Sequence, residues 1–372
     1  MNVPAPFPAF GGKSAVADLV WQRLGFIRNY VAPSYDGRAE FDMVYEEPFA
    51  NSAAIMLRNP AYDWENGRWR VKLPPIETIN DLDPFITNFW RSVKFAADEV
   101  AEYADWPVNE ADLHARHAWL VQQGRSWFRD RMMTDPDFYD PKIAGWWVWG
   151  IGAWIGPAWC DLSDKPARES QSRPHLSSNG LGVHRRQIPH LNGHGSGMNA
   201  GTRRDGLKVW FEVLQQRLRN VRTTCGDWSR VTGKTTTWNN NCTRGKNAIT
   251  AAVIDPPYDP KLRVANLYAE DDTAEGDPLS TAVREWCLKE GDNPKMRIVL
   301  FGYEEEHGPH MPDTWECVAW KANGGYGNQG DGENENAKQE RIWFSPHCLR
   351  PDLKKQKIKE EMPLLAGIWE DA

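Results

Sequence analysis

The sequence has 372 residues, which suffices for one large domain or two of average size. A formal net charge of -7, with 44 Lys and Arg against 51 Asp and Glu, excludes a uniformly basic coat for nucleic acid, so any such surface must be local. Hydrophobic residues make up 41% and include 20 Trp, which excludes a wholly disordered chain and favours pockets or surfaces with large flat side chains.

The first 96 residues predict alternating helices and strands. Residues 14–24 have the apolar spacing of an amphipathic helix, 43–45 are typical of a short strand, and 52–57 return to helical spacing. Residues 77–81 resemble the end of a second strand, and 84–94 resemble the next helix. This alternation predicts a parallel sheet that binds ligands at the carboxyl ends of its strands.

Residues 97–206 have a different character. A helical pattern over 112–128 precedes an uncharged stretch, 143–160, which is close to the shortest length that spans a membrane. Its five Trp lie along the segment rather than at its ends, which favours a buried helix over a membrane span. The segment 161–206 is rich in Gly, Ser, Asn, His and Arg, and we expect a loop.

The clearest charge asymmetry falls between residues 161 and 222. This stretch holds 11 basic and 5 acidic residues, so its net charge of +6 contrasts with the acidic remainder of the chain. A local excess of Arg and Lys is the pattern that phosphate contacts require. The sequence therefore predicts that this part faces a phosphate backbone.

The alternating pattern returns after residue 207. It predicts helices at 207–218 and within 272–290, and strands at 221–225, 251–254 and 297–301. A polar stretch at 232–247 is expected to be a loop, and 350–361 a solvated helix or a frayed end. The six Cys form no C-x-x-C pair and no secretory signal is visible, which favours reduced thiols in a cytoplasm.

The strongest chemical signal is Asp255-Pro256-Pro257-Tyr258, directly after an apolar strand. Two prolines hold the backbone extended and remove two N–H donors, which leaves carbonyl oxygens and one carboxylate. Such an array fits a substrate that carries an exocyclic amine, and Tyr258 offers a flat face for stacking a base. The competing interpretation is an ordinary proline turn at the end of a strand.

With these four residues and further motifs that follow the family's order along the chain, the sequence resembles the DNA adenine-N6 methyltransferases of the Dam class, particularly phage-borne members. The further motifs are Phe10-Gly11-Gly12-Lys13, the methyl-donor loop over 47–53, Asn80-Asp81 and Gly226-Asp227-Trp228. Asn51 and Ala53 replace glycines of the family's loop. Asn tolerates a left-handed conformation, whereas Ala53 adds a methyl where backbone and ligand would approach closely. Residues 29–33 are a weaker candidate for the same loop.

The resemblance implies S-adenosyl-L-methionine as the methyl donor, with no metal. The implied donor-binding residues are Phe10, Gly11, Gly12, Lys13, Pro48, Phe49, Asn51, Ser52, Asp81, Asp227 and Trp228. The donor loop would hold the amino-acid carboxylate with backbone N–H groups at a helix N-terminus. Asp81 would accept from the ribose hydroxyls, or cap a helix before Pro84. Lys13 would meet the donor's carboxylate or be solvated.

Two further donor contacts are implied on the far side of the middle segment. Asp227 would accept from the donor's adenine amine, with Trp228 lying against the ring or simply packing in the core. In the reaction, Asp255 and the carbonyl of Pro256 would accept the two N6 hydrogens and free the lone pair for attack on the sulfonium methyl. The adenine would leave the duplex and stack on Tyr258.

The implied fold is α/β: a Rossmann-like S-adenosylmethionine-dependent methyltransferase sheet over 1–96 and 207–350. An inserted, mainly helical and loop target-recognition domain would occupy 97–206, and 351–372 would be a charged tail. The implied partner is double-stranded DNA, contacted by Arg185, Arg186, Arg203 and Arg204 unless these lie in a solvated loop. An N4-cytosine or RNA methyltransferase on this scaffold, or a DNA-binding module without catalysis, are the alternatives.

Overall fold

A computed structural model describes residues 5–7, 12–25, 43–65, 68–71, 76–106, 110–154, 159–160, 206–237, 249–259, 279–320 and 340–350. The candidate loop at 29–33, almost all of the segment 161–206 and the tail beyond 350 lie outside these ranges. So do six of the predicted site residues: Phe10, Gly11, Arg185, Arg186, Arg203 and Arg204.

Seven strands form one sheet. They are β1 (Met43–Glu47), β4 (Ile76–Asp81), β5 (Val221–Cys225), β6 (Ile249–Ile254), β7 (Met296–Tyr303), β8 (Glu316–Ala319) and β9 (Glu340–Phe344). A separate hairpin pairs β2 (Tyr62–Glu65) with β3 (Arg68–Val71). The sheet order is β5-β4-β1-β6-β7-β9-β8, with the first five strands parallel and β9 antiparallel to both neighbours. The expected parallel sheet is therefore mixed, within an α/β fold that is compatible with a Rossmann-like arrangement.

The strand order places a topological switch between β1 and β6. From β1 the chain adds β4 and β5 on one side, and then crosses to add β6 and β7 on the other. Open α/β sheets bind ligands outside the carboxyl ends of the strands at such a switch. Glu46 pairs with Ala252, so Phe49 and Asp255, each three residues further on, leave the two strands at the same level.

The helices correspond well to the sequence pattern. They are α1 (Ala17–Leu24, after a 3-10 turn at Lys13–Ala15), α2 (Ala54–Leu57), α3 (Pro84–Ala104), α4 (Glu110–Gln123), α5 (Arg129–Thr134), α6 (Pro141–Ala153), α7 (Gly206–Leu218), α8 (Leu279–Gly291) and α9 (Glu304–His307). A π-helical turn, Gly124–Phe128, joins α4 to α5. The predicted helices at 14–24, 52–57, 84–94, 112–128 and 207–218 all coincide with helical elements.

Residues 143–153 of the Trp-rich segment lie in α6, where the prediction of a buried helix is confirmed, whereas 155–158 lie outside the described residues. Asp140 caps the first turn of α6 by accepting from the backbone N–H of Ile143 at 2.9 Å, and Trp147 and Trp149 are buried. Along the parts of the chain that the structure describes, no helix is long and apolar enough to cross a membrane.

One hydrophobic core joins the helices of the middle segment to the sheet. It includes Phe89 of α3, Trp147 of α6 and Phe211 of α7. Helix α3 has non-helical backbone angles at Ala96, so the predicted boundary between residues 96 and 97 falls at a bend inside a helix. The division of the chain into domains stays a prediction.

A fully buried ion pair fixes α7 to the sheet. Arg217 donates two hydrogen bonds to Glu77, at 2.6 and 2.7 Å, and neither side chain is exposed. The same guanidinium donates to the carbonyl of Met56 at 2.8 Å and lies 3.6 Å from the centre of the Tyr62 ring. Asn59 donates a further bond to Glu77 at 2.9 Å. Because these partners come from α7, α2 and β4, the pair sets how three elements meet.

We expect Arg217→Met or Glu77→Gln alone to lower the free energy of unfolding by about 3–5 kcal/mol, since each leaves an unpaired or unsatisfied group in the interior. The double variant Arg217→Met/Glu77→Leu loses less than either single change, because no buried charge remains. Urea unfolding followed by Trp fluorescence measures both. Arg219→Met, at an exposed position after the same helix, is the control; a single variant no less stable than this control would contradict the prediction.

Candidate functional site

The Asp-Pro-Pro-Tyr motif forms an acceptor loop at the end of β6. All six residues of β6 are buried, and the strand ends at Ile254, just before two residues that lack an N–H. Pro256 is buried and Pro257 is half-buried. The Asp255 side chain is 25% exposed, whereas Tyr258 is 6% exposed. Of the two polar side chains of the motif, that of Asp255 is therefore the more exposed.

Four side chains from three separated parts of the chain form what we term the acceptor cluster: Lys13, Asp255, Tyr258 and Glu340. The ammonium of Lys13 lies 3.0 Å from Asp255 Oδ2, donates to the Tyr258 hydroxyl at 3.2 Å, and lies 4.0 Å from Glu340 Oε2. The Tyr258 hydroxyl is 3.5 Å from both Asp255 Oδ1 and Glu340 Oε2. It has one proton and can donate to only one of them.

The acceptor cluster corrects one expectation and adds one residue. Lys13 is 7% exposed, so the prediction of a solvated lysine is wrong; its ammonium pairs with the predicted catalytic carboxylate. Sequence reasoning missed Glu340 because it carries no motif and reaches the site only through the late strand β9. An isolated acidic residue in an apolar strand, Glu340 within E-R-I-W-F, was the available signal.

Burial dominates the electrostatics of this site. It raises the pKa of Asp255, while the Lys13 ammonium and the Tyr258 hydrogen bond lower it. Burial likewise raises the pKa of Glu340, against the opposing effect of Lys13. The pKa of Glu47, at the end of β1, is raised to about 8, chiefly by burial and partly by the Asp255 charge. Lys13 is therefore the charge that favours an ionised Asp255.

The predicted donor loop forms a tight turn, residues 48–53, directly after β1. Asn51 and Ala53 both have left-handed backbones, with φ of 44° and 48°. Asn adopts this conformation readily, and the fully buried Ala53 belongs to the hydrophobic core. The turn thus accommodates both Asn51 and Ala53, and the Ala53 methyl group packs inside the protein.

Three backbone N–H groups of this turn already donate hydrogen bonds within the protein. Ala50 donates to the carbonyl of Asn80 at 2.9 Å, Ala53 to the carbonyl of Ala50 at 2.6 Å, and Asn51 to the Asp81 carboxylate at 2.9 Å. The helix that follows, α2, is a single turn, and Ser52 is buried. The expected use of these N–H groups to hold a ligand carboxylate is therefore not supported.

Asn80 ties two turns together at this edge of the sheet. Its Nδ2 donates to the carbonyls of Pro48, at 3.0 Å, and Gly226, at 2.9 Å, and its Oδ1 accepts from the Thr224 hydroxyl at 2.8 Å. The amide is buried and both of its polar atoms are bonded. One side chain thus holds the turn after β1 against the turn after β5.

Asp81 supports the same turn from its carboxylate. Its Oδ2 accepts from Asn51 and its Oδ1 accepts from the N–H of Asp83, each at 2.9 Å. Burial raises the pKa of Asp81 to about 6, although these N–H bonds lower it. The predicted helix cap is a different residue: Asp83 caps α3 by accepting from the N–H of Phe85 at 2.7 Å.

An aromatic pair lies between the turns after β1 and β5. The rings of Phe49 and Trp228 are nearly parallel, at 28°, with centres 6.2 Å apart, and Trp228 meets Trp286 edge-on. Both rings pack on a second hydrophobic cluster, which includes Ile254 of β6 and Val283 of α8, and both stay partly exposed. Packing and ligand contact are therefore compatible for Trp228. The exposed Asp227 accepts from the N–H of Ser229 at 2.9 Å and from its hydroxyl.

The structure thus brings together the predicted residues that it describes: Lys13, the turn after β1, Asp81, Asp227, Trp228 and the acceptor loop surround one edge of the sheet. Gly12 lies beside them as the residue before the Lys13 turn. No protein-family model matches the chain, and no curated protein matches it either.

We expect Asn80→Ala to lower the free energy of unfolding by about 2–4 kcal/mol, since three buried hydrogen bonds lose their central group. Chemical denaturation measures this change. Asn293→Ala, which removes a side chain that accepts from the nearby Lys295 N–H, is the matched control. An Asn80 variant as stable as the control would show that the turns are held by other contacts.

Glu46 gives a pH-dependent prediction. It is 1% exposed, its two oxygens have no hydrogen-bond partner among the described residues, and burial raises its pKa to about 8 against a weaker effect of Arg222. A raised pKa means that the folded state keeps this proton while the unfolded chain releases it, so Glu46 lowers stability as pH rises from about 4.5 to 8.

We expect Glu46→Gln to stabilise the protein relative to the natural sequence by up to about 1 kcal/mol for each pH unit across this window, and by a constant amount above it. Urea unfolding at pH 5, 6, 7, 8 and 9 measures the difference. A difference that stays constant over the whole range would contradict the assignment of a buried, protonated carboxyl.

Proposed function

We propose that the protein is an S-adenosylmethionine-dependent methyltransferase that methylates the N6 amine of adenine in DNA. The observation that carries the proposal is the position of Asp255. Its partly exposed carboxylate lies in a proline-held loop at the end of β6, across the topological switch from the turn after β1. An acceptor beside the end of a neighbouring parallel strand at such an edge suits transfer between two bound molecules.

The donor side offers groups that fit S-adenosylmethionine. Each Asp81 oxygen accepts one backbone N–H, and a carboxylate has about four acceptor positions, so the ribose hydroxyls find acceptors there. The half-exposed rings of Phe49 and Trp228 offer flat surfaces for the adenine, with the exposed Asp227 beside them to accept from its amine. When bound, S-adenosylmethionine supplies a methyl group on a positively charged sulfur.

The chain's own residues would prepare the substrate amine. The N6 lone pair of adenine is delocalised into the ring, which makes the amine a poor nucleophile. Asp255 and the Pro256 carbonyl accept its two hydrogens and favour a tetrahedral nitrogen whose lone pair is free. Once the nitrogen has taken the methyl group that the bound donor would supply, it is positively charged, and the Asp255 carboxylate would accept the proton that it then loses. Position and charge supply the rate enhancement.

Access to the amine requires a base outside the duplex. Enzymes that modify a base either act on single strands or rotate the nucleotide out of the stack. The basic stretch 161–222 would bind the phosphates, and its described part includes the exposed Arg219 and Arg222. The region 97–206 would read the target sequence. Arg185, Arg186, Arg203 and Arg204 remain proposed DNA contacts.

The proposal predicts transfer of labelled methyl groups from S-adenosylmethionine to mixed-sequence duplex DNA, recovered after digestion as N6-methyladenine. Asp255→Ala should reduce the rate at least about 100-fold, as loss of a hydrogen-bonding group at a developing charge does. Asp18→Asn, at an exposed position on α1, is the control and should retain the rate.

The product distinguishes the competing functions. Labelled N4-methylcytosine, or labelled RNA with unlabelled DNA, would assign the same acceptor loop to another exocyclic amine. Donor and DNA binding without transfer would indicate a DNA-binding module that lacks catalysis. Transfer that is unchanged in Asp255→Ala would refute the role of the acceptor loop.

A further inference from the structure

Asp255 must be ionised to accept from an amine, yet most of its surroundings oppose ionisation. Burial raises its pKa, and two further carboxyl groups lie near it, Glu340 on β9 and Glu47 on β1. Burial raises the pKa of Glu47 to about 8, although the Tyr45 hydroxyl, which donates to it at 2.9 Å, opposes this rise, and the neutral form is therefore favoured near pH 7. Glu340 therefore competes with Asp255 for the same compensating charge.

Lys13 supplies that charge from an enclosed position. Among the described residues, it is the one cation paired with Asp255, at 3.0 Å. Its ammonium is surrounded by the rings of Tyr258, Phe301 and Trp320, whose centres lie 5.6, 5.0 and 5.4 Å away. Aromatic faces attract a cation while excluding water, which strengthens its interaction with the carboxylate.

We propose that Lys13 is a positioning residue that keeps the Asp255 carboxylate charged and fixed in orientation, and that Glu340 anchors Lys13 from the other side. This inference rests on the proposed transfer to an amine. Lys13 pairs with Oδ2 of Asp255, whereas Oδ1 has only the long 3.5 Å contact from the Tyr258 hydroxyl. A carboxylate oxygen has two acceptor positions, so Oδ1 is the oxygen that can still accept from the substrate amine. Lys13 and Glu340 are 8% and 7% exposed, so both act behind the carboxylate rather than on the substrate.

Removal of Lys13 and removal of the Glu340 charge should shift the ionisation of Asp255 in opposite directions. The groups that face Asp255 are Lys13 from the turn before α1, Tyr258 from its own loop, Glu340 from β9 and Glu47 from β1. Removing the ammonium makes Asp255 harder to ionise, whereas removing the Glu340 charge makes it easier. A residue that serves only packing would not produce opposite shifts.

The test is the pH dependence of the single-turnover methylation rate. In Lys13→Met, the acid limb should move to higher pH by at least about one unit, a tenfold lower rate at a fixed pH on that limb. In Glu340→Gln the acid limb should move to lower pH. In Lys13→Arg, which keeps the positive charge, the acid limb should lie closer to that of the natural protein than in Lys13→Met. Shifts in the same direction, or none, would overturn the proposal.

The affinity for S-adenosylmethionine distinguishes a Lys13 that positions Asp255 from a Lys13 that contacts the methyl donor. The quenching of Trp fluorescence by S-adenosylmethionine should give a dissociation constant for Lys13→Met within about threefold of the natural protein, because the proposed partner is Asp255. A loss of donor affinity of tenfold or more, with an unchanged acid limb, would assign Lys13 to the donor's carboxylate instead and overturn the proposal.

A double-mutant cycle of unfolding free energies tests the interaction between Lys13 and Asp255 even when no methyl transfer occurs. Unfolding of Lys13→Met, Asp255→Asn and the double variant is compared at pH 7. If the natural protein transfers no methyl group, the proposed function fails, while the cycle still reports on the pair. Effects that are clearly non-additive support the ion pair, whereas additive effects show that Lys13 and Asp255 act independently and overturn the proposal.

Discussion

The contact between Lys13 and Asp255 is the interaction on which the proposed site depends. It joins the start of the first described helix to the end of a central strand, and it places opposite charges where burial would otherwise favour neutral groups. Two prolines fix the backbone that carries the carboxylate, and Glu340 with three aromatic rings encloses the ammonium. The acceptor is thus organised by the protein before any substrate arrives, which is the arrangement that electrostatic catalysis requires.

Local patterns in the sequence predicted most of the α/β core. The strands that became β6 and β7 are short, mainly apolar runs, β1 begins with one, and β4 and β5 are rich in the β-branched residues Ile, Val and Thr. Each run lies next to helical spacing, so its identity is encoded within about ten residues. The hairpin β2–β3 and the strands β8 and β9 were not predicted. β8, for example, alternates between exposed and half-buried positions over four residues, which is too short to distinguish from a loop.

The candidate site shows the same difference between features that are local in the sequence and contacts that form only in the fold. Asp255, Asp81 and the turn after β1 were recognisable because each motif is contiguous in sequence. Lys13 and Asn80 were also named within motifs, but their contacts were not predicted, and Glu340 was missed altogether. These contacts join distant parts of the chain that meet only after the sheet forms. The departures at Asn51 and Ala53 also became interpretable only from backbone angles and burial.

The Asn80 amide has a consequence for how related sequences could diverge. Because one side chain satisfies carbonyls on two turns that belong to different strands, a change in the length or shape of either turn alters the geometry of the other. Homologues should therefore conserve this amide together with both turn lengths, or replace all three at once. Correlated substitution among residues 48–53, 80 and 224–227 would be the evolutionary signature of this shared tether.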